Sequence, residues 1–315
     1  MTPAGEPSSP APHRRPSPQR HGFAVSAGCS GGHPESGRRE VPSMGRPDQP
    51  RNRLLSSLPP AELDALRPCL EPCSMKPRRV LHHDRAPMEH VYFVESGLVS
   101  VLAQIDERKA VEVWLIGREG LSGIPIVLGG SVSPHRRVVQ LGGTALRMAA
   151  ADVHAAMRDL PVFSVTMLRY VQLALAQTSQ IGACNGAHAI RQRLARWLLT
   201  AQDRVGHDVL PLTHDMLARL LGVRRATITE CIAVLDAERV LSTRRGRLEI
   251  LDRERLESMS CLCYRIMANE HDRMMRDLHG IGAPPTICGH DHAASRREAT
   301  ETGSNTPTVS ASPAP

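Results

Sequence analysis

The sequence predicts an α+β chain: an N-terminal β-roll, a long dimerisation helix and a C-terminal winged helix-turn-helix. Three observations carry that expectation. Residues 78–149 hold short β-type runs broken by glycines. Residues 152–183 change to a helical period, interrupted at Pro161. Residues 213–251 set a small residue, a glycine and several apolar residues in the order that two crossed helices need.

At 315 residues the chain is long enough for two ordinary domains. Hydrophobic residues make up 41% and aromatics only 3%, so the core is built from aliphatic side chains. The formal net charge of +7 suits a polyanionic partner, although dispersed basic charge is also common on solvated surfaces. Lys76 and Lys109 are the only lysines, so the positive charge is almost all arginine. Arginine suits bidentate contacts to phosphate and guanine, and a GC-rich coding bias gives the same composition. No apolar run approaches the ~18–20 residues of a membrane span, and no signal peptide opens the chain. A cytoplasmic protein with reduced thiols is therefore expected. The eight cysteines are Cys29, Cys69, Cys73, Cys184, Cys231, Cys261, Cys263 and Cys288. They form no CxxC pair and no zinc-finger spacing, so no metal site is expected. Cys261-Leu-Cys263 falls in a helix-like stretch, where residues two apart do not share a face. Cys288, His290 and His292 have ligand chemistry but sit in a polar tail.

Residues 1–50 are rich in Pro, Gly, Ser and Arg and are expected to be a disordered extension, with Met44 a candidate true start. Order is expected from Asn52. A β-roll effector domain is expected over 51–151, with strands at Val91–Val94, Leu98–Leu102, Val111–Ile116 and Val138–Leu141. A dimerisation helix and hinge are expected over 152–186. There Leu168, Val171, Leu175 and Thr178 fall at 3–4 spacing, and Leu173 and Ala174 widen the apolar face. One side of such a helix covers the roll and another packs on a second subunit; the alternative is an ordinary core helix. Asn185-Gly186 reads as the hinge. A winged helix-turn-helix is expected over 187–258, a helical extension over 259–280 and a disordered tail over 281–315.

Within the winged helix, Thr213 is an N-cap, and Leu217 and Leu221 stand one turn apart. Ala218 is small enough for a second helix to cross above it. Gly222 supplies a left-handed stop and Val223 fills the angle. A second helix over about Arg224–Ala237 turns Ile228, Cys231 and Leu235 inward. Its outward face carries Arg224, Arg225, Thr227, Thr229 and Glu230, the side on which base edges are read. Arg225 is assigned to guanine and Arg224 to phosphate. Thr227 suits phosphate or a thymine methyl, and Glu230 suits a cytosine amino group or simple solvation. Leu241–Leu251 reads as a hairpin around Arg245-Gly246, a wing laying Arg244, Arg245 and Arg247 along a phosphate backbone.

In that order of elements, the chain resembles the Crp/Fnr family of bacterial regulators over roughly residues 52–258. The strand pair Val91–Val101 around Gly97 resembles that family's cyclic-nucleotide-binding-like roll. Gly120-Leu-Ser-Gly-Ile resembles its phosphate cassette, and Val223–Glu230 its recognition helix. The resemblance implies a homodimer on double-stranded DNA, an effector signal that moves the helices, and RNA polymerase as a partner. Members that bind cyclic AMP carry Gly-Glu in the cassette, where this chain has Gly123-Ile124. They also carry an Arg-Ser or Arg-Thr pair, where this chain has His135-Arg136-Arg137, with Arg136 the residue assigned to an anion. Loss of the carboxylate leaves ribose hydroxyls unpaired, at about 1–3 kcal/mol. Ordinary cyclic-AMP binding is therefore not expected, and no cofactor is assigned. Cys69 and Cys73 are too few for the iron–sulfur cluster of oxygen-sensing members. His82, His83 and His90 are available to a haem, although lone histidines are mostly structural. The family's Arg-Glu-x-x-x-Arg becomes Arg225-Ala226-x-x-x-Glu230, which implies a different operator.

A second class of function is a cyclic-nucleotide-type module acting through a protein partner. Steep salt dependence of DNA affinity separates the two. No nucleophile elbow, P-loop or metal-binding helix motif points to an enzyme.

Overall fold

The computed structural model describes residues 49–107 and 109–279. The N-terminal extension up to residue 48, with Met44, and the tail from 281, with its Cys288, His290 and His292, lie outside the described residues.

Two short helices open the fold, α1 (Arg53–Ser56) and α2 (Pro60–Leu66), and a 3-10 turn Arg67–Cys69 follows. Asn52 anchors this start. Its side chain accepts the Leu55 N–H at 3.2 Å, and its Nδ2 donates to the carbonyls of Val94 and Gly120 at 3.0 and 2.8 Å. A fully buried amide thus ties the entry of the fold to the roll.

The roll contains β1 (Glu71–Met75), β2 (Val80–His82), β3 (His90–Val94), β4 (Leu98–Gln104), β5 (Ala110–Ile116) and β6 (Leu121–Ser122). A one-turn helix α3 (Ile124–Val127) precedes β7 (Arg136–Leu141) and β8 (Gly143–Ala149). Two antiparallel four-stranded sheets result, ordered β1-β8-β3-β6 and β2-β7-β4-β5. The four strands expected from sequence are present as β3, β4, β5 and β7. Among the others, β1 carries Pro72, Cys73 and Ser74, and its place comes from antiparallel pairing with β8, Glu71 opposite Arg147 and Met75 opposite Gly143. Gly143 leaves no room for a β-carbon against the Ser96 carbonyl, so glycine is required where the chain passes between sheets.

Helix α4 (Ala150–Asp159) leads into α5 (Pro161–Ala187), with Pro161 at the first position of the second helix. The expected hinge at Asn185-Gly186 is corrected: both residues lie in the last turn of α5, and the break comes at His188, whose backbone is extended. The side chain of Asn185 accepts from Arg193 Nε at 3.1 Å, and Gly186 is crowded by nothing, so neither residue forces the helix to stop.

Beyond the break come α6 (Ile190–Val205), β9 (Val209–Leu210), α7 (His214–Leu221), α8 (Arg225–Ala237), β10 (Leu241–Arg244), β11 (Arg247–Ile250), α9 (Arg253–Met259) and α10 (Cys263–His279). The hairpin expected around Arg245-Gly246 is present, and β9 adds a third strand beside β11. Cys261 precedes α10 and Cys263 begins it. The expectation that these two cysteines face apart in one helix is therefore corrected, because the chain is not helical at Cys261.

Phe163, Met167, Tyr170, Val171 and Ala174 of α5 join the roll's core. Helix α10 packs along α5, where its Met274 and Leu278 are buried in the same cluster. A second core joins α6, α7, α8 and the wing, and it includes Leu98, Leu115 and Leu141 of the roll. Roll and winged helix therefore share buried surface. No helix among the described residues is long and apolar enough to cross a membrane.

Candidate nucleic-acid interface

The helix-turn-helix is built from local chemistry. Thr213 Oγ1 accepts the Met216 N–H at 3.2 Å and starts α7. Gly222 stops it with φ +71°, and Val223 N–H reaches back to the Ala218 carbonyl at 3.0 Å. A β-carbon at Gly222 would lie 2.7 Å from Val111 Cγ1 of β5, so glycine serves both the turn and a close approach to the roll. Ile228 and Leu235 are fully buried and Cys231 nearly so, which fixes the rotation of α8.

That rotation leaves Arg224, Arg225, Thr229 and Glu230 exposed and Thr227 half-buried. Arg224 is the N-cap of α8 and makes no side-chain cap bond. The first N–H groups of α8 therefore point outward beside two guanidinium groups, an arrangement suited to phosphate. The Thr229 hydroxyl donates to the Arg225 carbonyl at 3.1 Å and meets His214 Nδ1 at 3.0 Å. The only sequence signal for this link between α7 and α8 is the place of His214 directly after the cap Thr213. In the wing, Arg244, Arg245 and Arg247 are all exposed. Arg245 and Gly246 both have positive φ, +45° and +76°, which makes the two-residue turn that closes the Arg244–Arg247 pair. A side chain at Gly246 would meet the Thr213 methyl at 3.8 Å, so the wing tip stands beside the start of α7.

In the roll, Gly123 has φ +134°, and a β-carbon there would lie 2.8 Å from a Val91 methyl. Ile124 begins α3, and Ile126 and Val127 behind it are buried in the roll core. The sequence assigns the anion to Arg136. The structure leaves Arg136 half-exposed and buries Arg137 instead, because alternation along β7 sends the two to opposite faces. Arg137 donates to the His135 carbonyl at 2.7 Å, and among the described residues no carboxylate pairs with it. Burial pulls its guanidinium down to about 10. Burial, then the charge of Arg137, also lowers the His135 imidazole. His82 is pulled down to about 4, chiefly by burial. Its neutral ring meets the His90 carbonyl through Nε2 at 2.8 Å and the Ser122 hydroxyl through Nδ1 at 3.2 Å, so both nitrogens are engaged.

Between roll and winged helix runs a buried polar network that no sequence pattern reveals. Trp197 of α6 donates to Glu112 of β5 at 2.6 Å, and Ser100 donates to the other Glu112 oxygen. Burial holds the Glu112 carboxyl above the usual range, against the pull of these two bonds. Arg204 of α6 pairs with Glu119 at 3.0 Å, donates to the Leu115 carbonyl, and donates to Gln177 of α5 at 3.1 Å. Gln177 also accepts from Trp114 at 3.2 Å. The cassette itself is pinned to α5: Tyr170 donates to the Leu121 carbonyl at 3.2 Å, and its ring leaves no space for a β-carbon on Gly120. Cassette, long helix and α6 are thus mechanically linked.

Residues 192–259 match the family described as Crp-like helix-turn-helix domain. The global nitrogen regulator of Nostoc sp. is 23% identical over 175 residues, spanning 52% of this chain and 78% of that protein. Among solved structures, FixK2 from Bradyrhizobium japonicum superposes with a TM-score of 0.55 at 14% identity, over 61% of this chain and 98% of that one. A CRP/FNR-family transcriptional regulator from Thermus thermophilus gives 0.51 at 22% identity, over 60% of this chain and 98% of its own. A regulator of the crp/fnr family from Eubacterium rectale gives 0.51 at 19% identity, over 65% and 96%. These structural likenesses establish the fold: roll, long helix and winged helix in one order.

Proposed function

The chain belongs to the Crp/Fnr family of transcription regulators, and from that premise we propose that it binds duplex DNA as a homodimer through α8 and the wing. The observation that carries this reading is one exposed basic surface. Arg224 and Arg225 stand at an uncapped helix N-terminus, and Arg244, Arg245 and Arg247 stand on the adjacent hairpin. Arg225 reads a guanine in the major groove, and Arg224 and the wing arginines hold phosphates. Thr227 and Thr229 are placed for secondary contacts at the same groove. Glu230 takes the position where the family commonly has arginine, so the sequence read is different. Selection from a pool of random duplexes is expected to enrich a two-fold repeated site; enrichment of no sequence would overturn the proposal.

The dimer is supported by α5. Its Val165, Leu168 and Leu175 remain 40%, 49% and 66% exposed while its other sides are covered by the roll and by α10. Such a stripe of large apolar residues gains by pairing with its own copy. Each leucine is worth about 1.5–3 kcal/mol when fully covered. Leu168→Glu with Leu175→Glu is expected to give a monomer in sedimentation while the chain keeps its helical circular dichroism. A dimer that survives both changes would remove α5 from the interface.

The roll is proposed to work without ordinary cyclic-AMP binding. Gly123-Ile124 supplies no carboxylate for ribose hydroxyls, and His135, Arg136 and the buried Arg137 supply the basic groups on that side. Whatever moves the cassette acts on α6 through Tyr170, Gln177 and Arg204.

A further inference from the structure

Away from α8, the end of α5 and the α9–α10 junction bring together four side chains that ligate metals. Cys184 lies in the last turn of α5, His188 just beyond it, Cys261 before α10 and Cys263 at its first position. Their ligand atoms all lie within 4.8 Å of one another. Cys184 Sγ is 3.5 Å from Cys261 Sγ, and Cys263 Sγ is 3.6 Å from His188 Nδ1. A tetrahedral zinc ion, with sulfur at about 2.3 Å and nitrogen at about 2.0–2.1 Å, requires edges of roughly 3.8 Å between sulfurs and roughly 3.6 Å between sulfur and nitrogen. The observed spacings fit that polyhedron.

A disulfide between Cys184 and Cys261 would use two of the four groups, and its sulfurs would stand about 2.0 Å apart. It leaves the approach of Cys263 to His188 without a reason. An iron–sulfur cluster places each thiolate on a separate iron, which spreads the ligands wider than a single ion does. Plain apolar packing accounts for buried thiols but not for an imidazole nitrogen aimed at one of them. The three cysteines are buried, and Gln180 Nε2 points at Cys263 Sγ from 3.1 Å, the kind of outer donor that steadies a metal thiolate.

We propose that Cys184, His188, Cys261 and Cys263 bind one zinc ion in a closed, structural site. Four protein ligands leave no position for water or substrate. On binding, the ion displaces one proton from each of the three thiols to solvent, and neutral His188 ligates through Nδ1. Three thiolates and one divalent cation leave the site with a charge of −1. Without the ion, burial and the Cys184 thiol push Cys261 up to about 12, so the thiols stay protonated. The ion fastens α10 to the end of α5. It also steadies the base of the winged helix, because Asn185, next to Cys184, holds Arg193, and Arg193 Nη2 donates to the Leu221 carbonyl at the end of α7 at 2.8 Å.

The test uses the full chain purified without a chelating tag, and it does not depend on DNA binding. Elemental analysis is expected to find one equivalent of zinc per chain. Replacement by Co²⁺ is expected to give thiolate charge-transfer bands and the intense visible absorption of a tetrahedral ion. Cys263→Ser and His188→Ala are each expected to lose stoichiometric metal, while Cys231→Ser and a combined Cys288→Ser, His290→Ala and His292→Ala change keep it. Chain without zinc after incubation with Zn²⁺, metal retained by both site variants, bound iron with sulfide, or a Cys184–Cys261 disulfide in mass spectrometry would each overturn the proposal. Should the variants fail to fold, the cobalt spectrum of the unaltered chain still decides: an octahedral, thiolate-free spectrum refutes the site.

Discussion

Arg204→Ala is expected to lower the stability of the chain by about 3–5 kcal/mol, because it strands a buried carboxylate. The side chains of Arg204 and Glu119 are 8% and 6% exposed, and the pair is 3.0 Å long. Removing the guanidinium leaves Glu119 with the Gly117 N–H at 3.0 Å as its remaining hydrogen bond. The same change strips one donor from Gln177 and from the Leu115 carbonyl, so three elements lose a shared partner. The penalty lies in the uncompensated charge rather than in the net worth of the pair. A double change, Arg204→Met with Glu119→Leu, is therefore expected to recover most of the loss. Urea unfolding monitored by tryptophan fluorescence measures both, since Trp114 and Trp197 flank the network. A single variant as stable as the parent would show that α6 is not held to the roll by this pair.

The second large effect is on recognition. Arg225→Ala is expected to cost about 1–3 kcal/mol in binding to the selected site and to relax preference at one base pair. Arg245→Ala is expected to weaken binding to every sequence alike and to reduce the salt slope by about 1. The contrast follows from position. Arg225 stands on the first turn of α8, which enters a major groove, and Arg245 stands at the tip of a hairpin, which lies against backbone. Equal weakening on all sequences by Arg225→Ala would move that residue to the phosphates.

The helix-turn-helix was legible because its determinants are local. Thr213, Leu217, Ala218, Gly222, Val223 and Ile228 span sixteen positions, and each acts through a cap, a turn or a close crossing that sequence order alone prescribes. The hairpin turn at Arg245-Gly246 was legible for the same reason. Pairing between distant segments was not. Strand β1 contains a proline and two small polar or weakly apolar residues, and it exists because β8 lies beside it. Glu112 and Trp197 are 85 positions apart, and no pattern in either segment announces their bond. On β7 the basic run His135-Arg136-Arg137 was visible, but which arginine points inward depends on register, and the structure selects Arg137. The four proposed zinc ligands were hidden differently. Cys261 and Cys263 are too close in sequence to converge if the helix is unbroken, and the break before α10 is what turns both toward Cys184 and His188.

These assignments make the winged helix a device for binding a polyanion, governed from the roll through Arg204 and Trp197. The most direct test is the salt dependence of affinity for a duplex carrying the selected site. Each phosphate held by an arginine releases condensed counterions, so log K against log salt is expected to fall with a slope of about −0.9 per contact. With Arg224 and the three wing arginines engaged on each of two subunits, affinity should drop by on the order of 10³-fold or more between 50 and 200 mM salt. An affinity that stays flat over that range would contradict DNA binding through this surface.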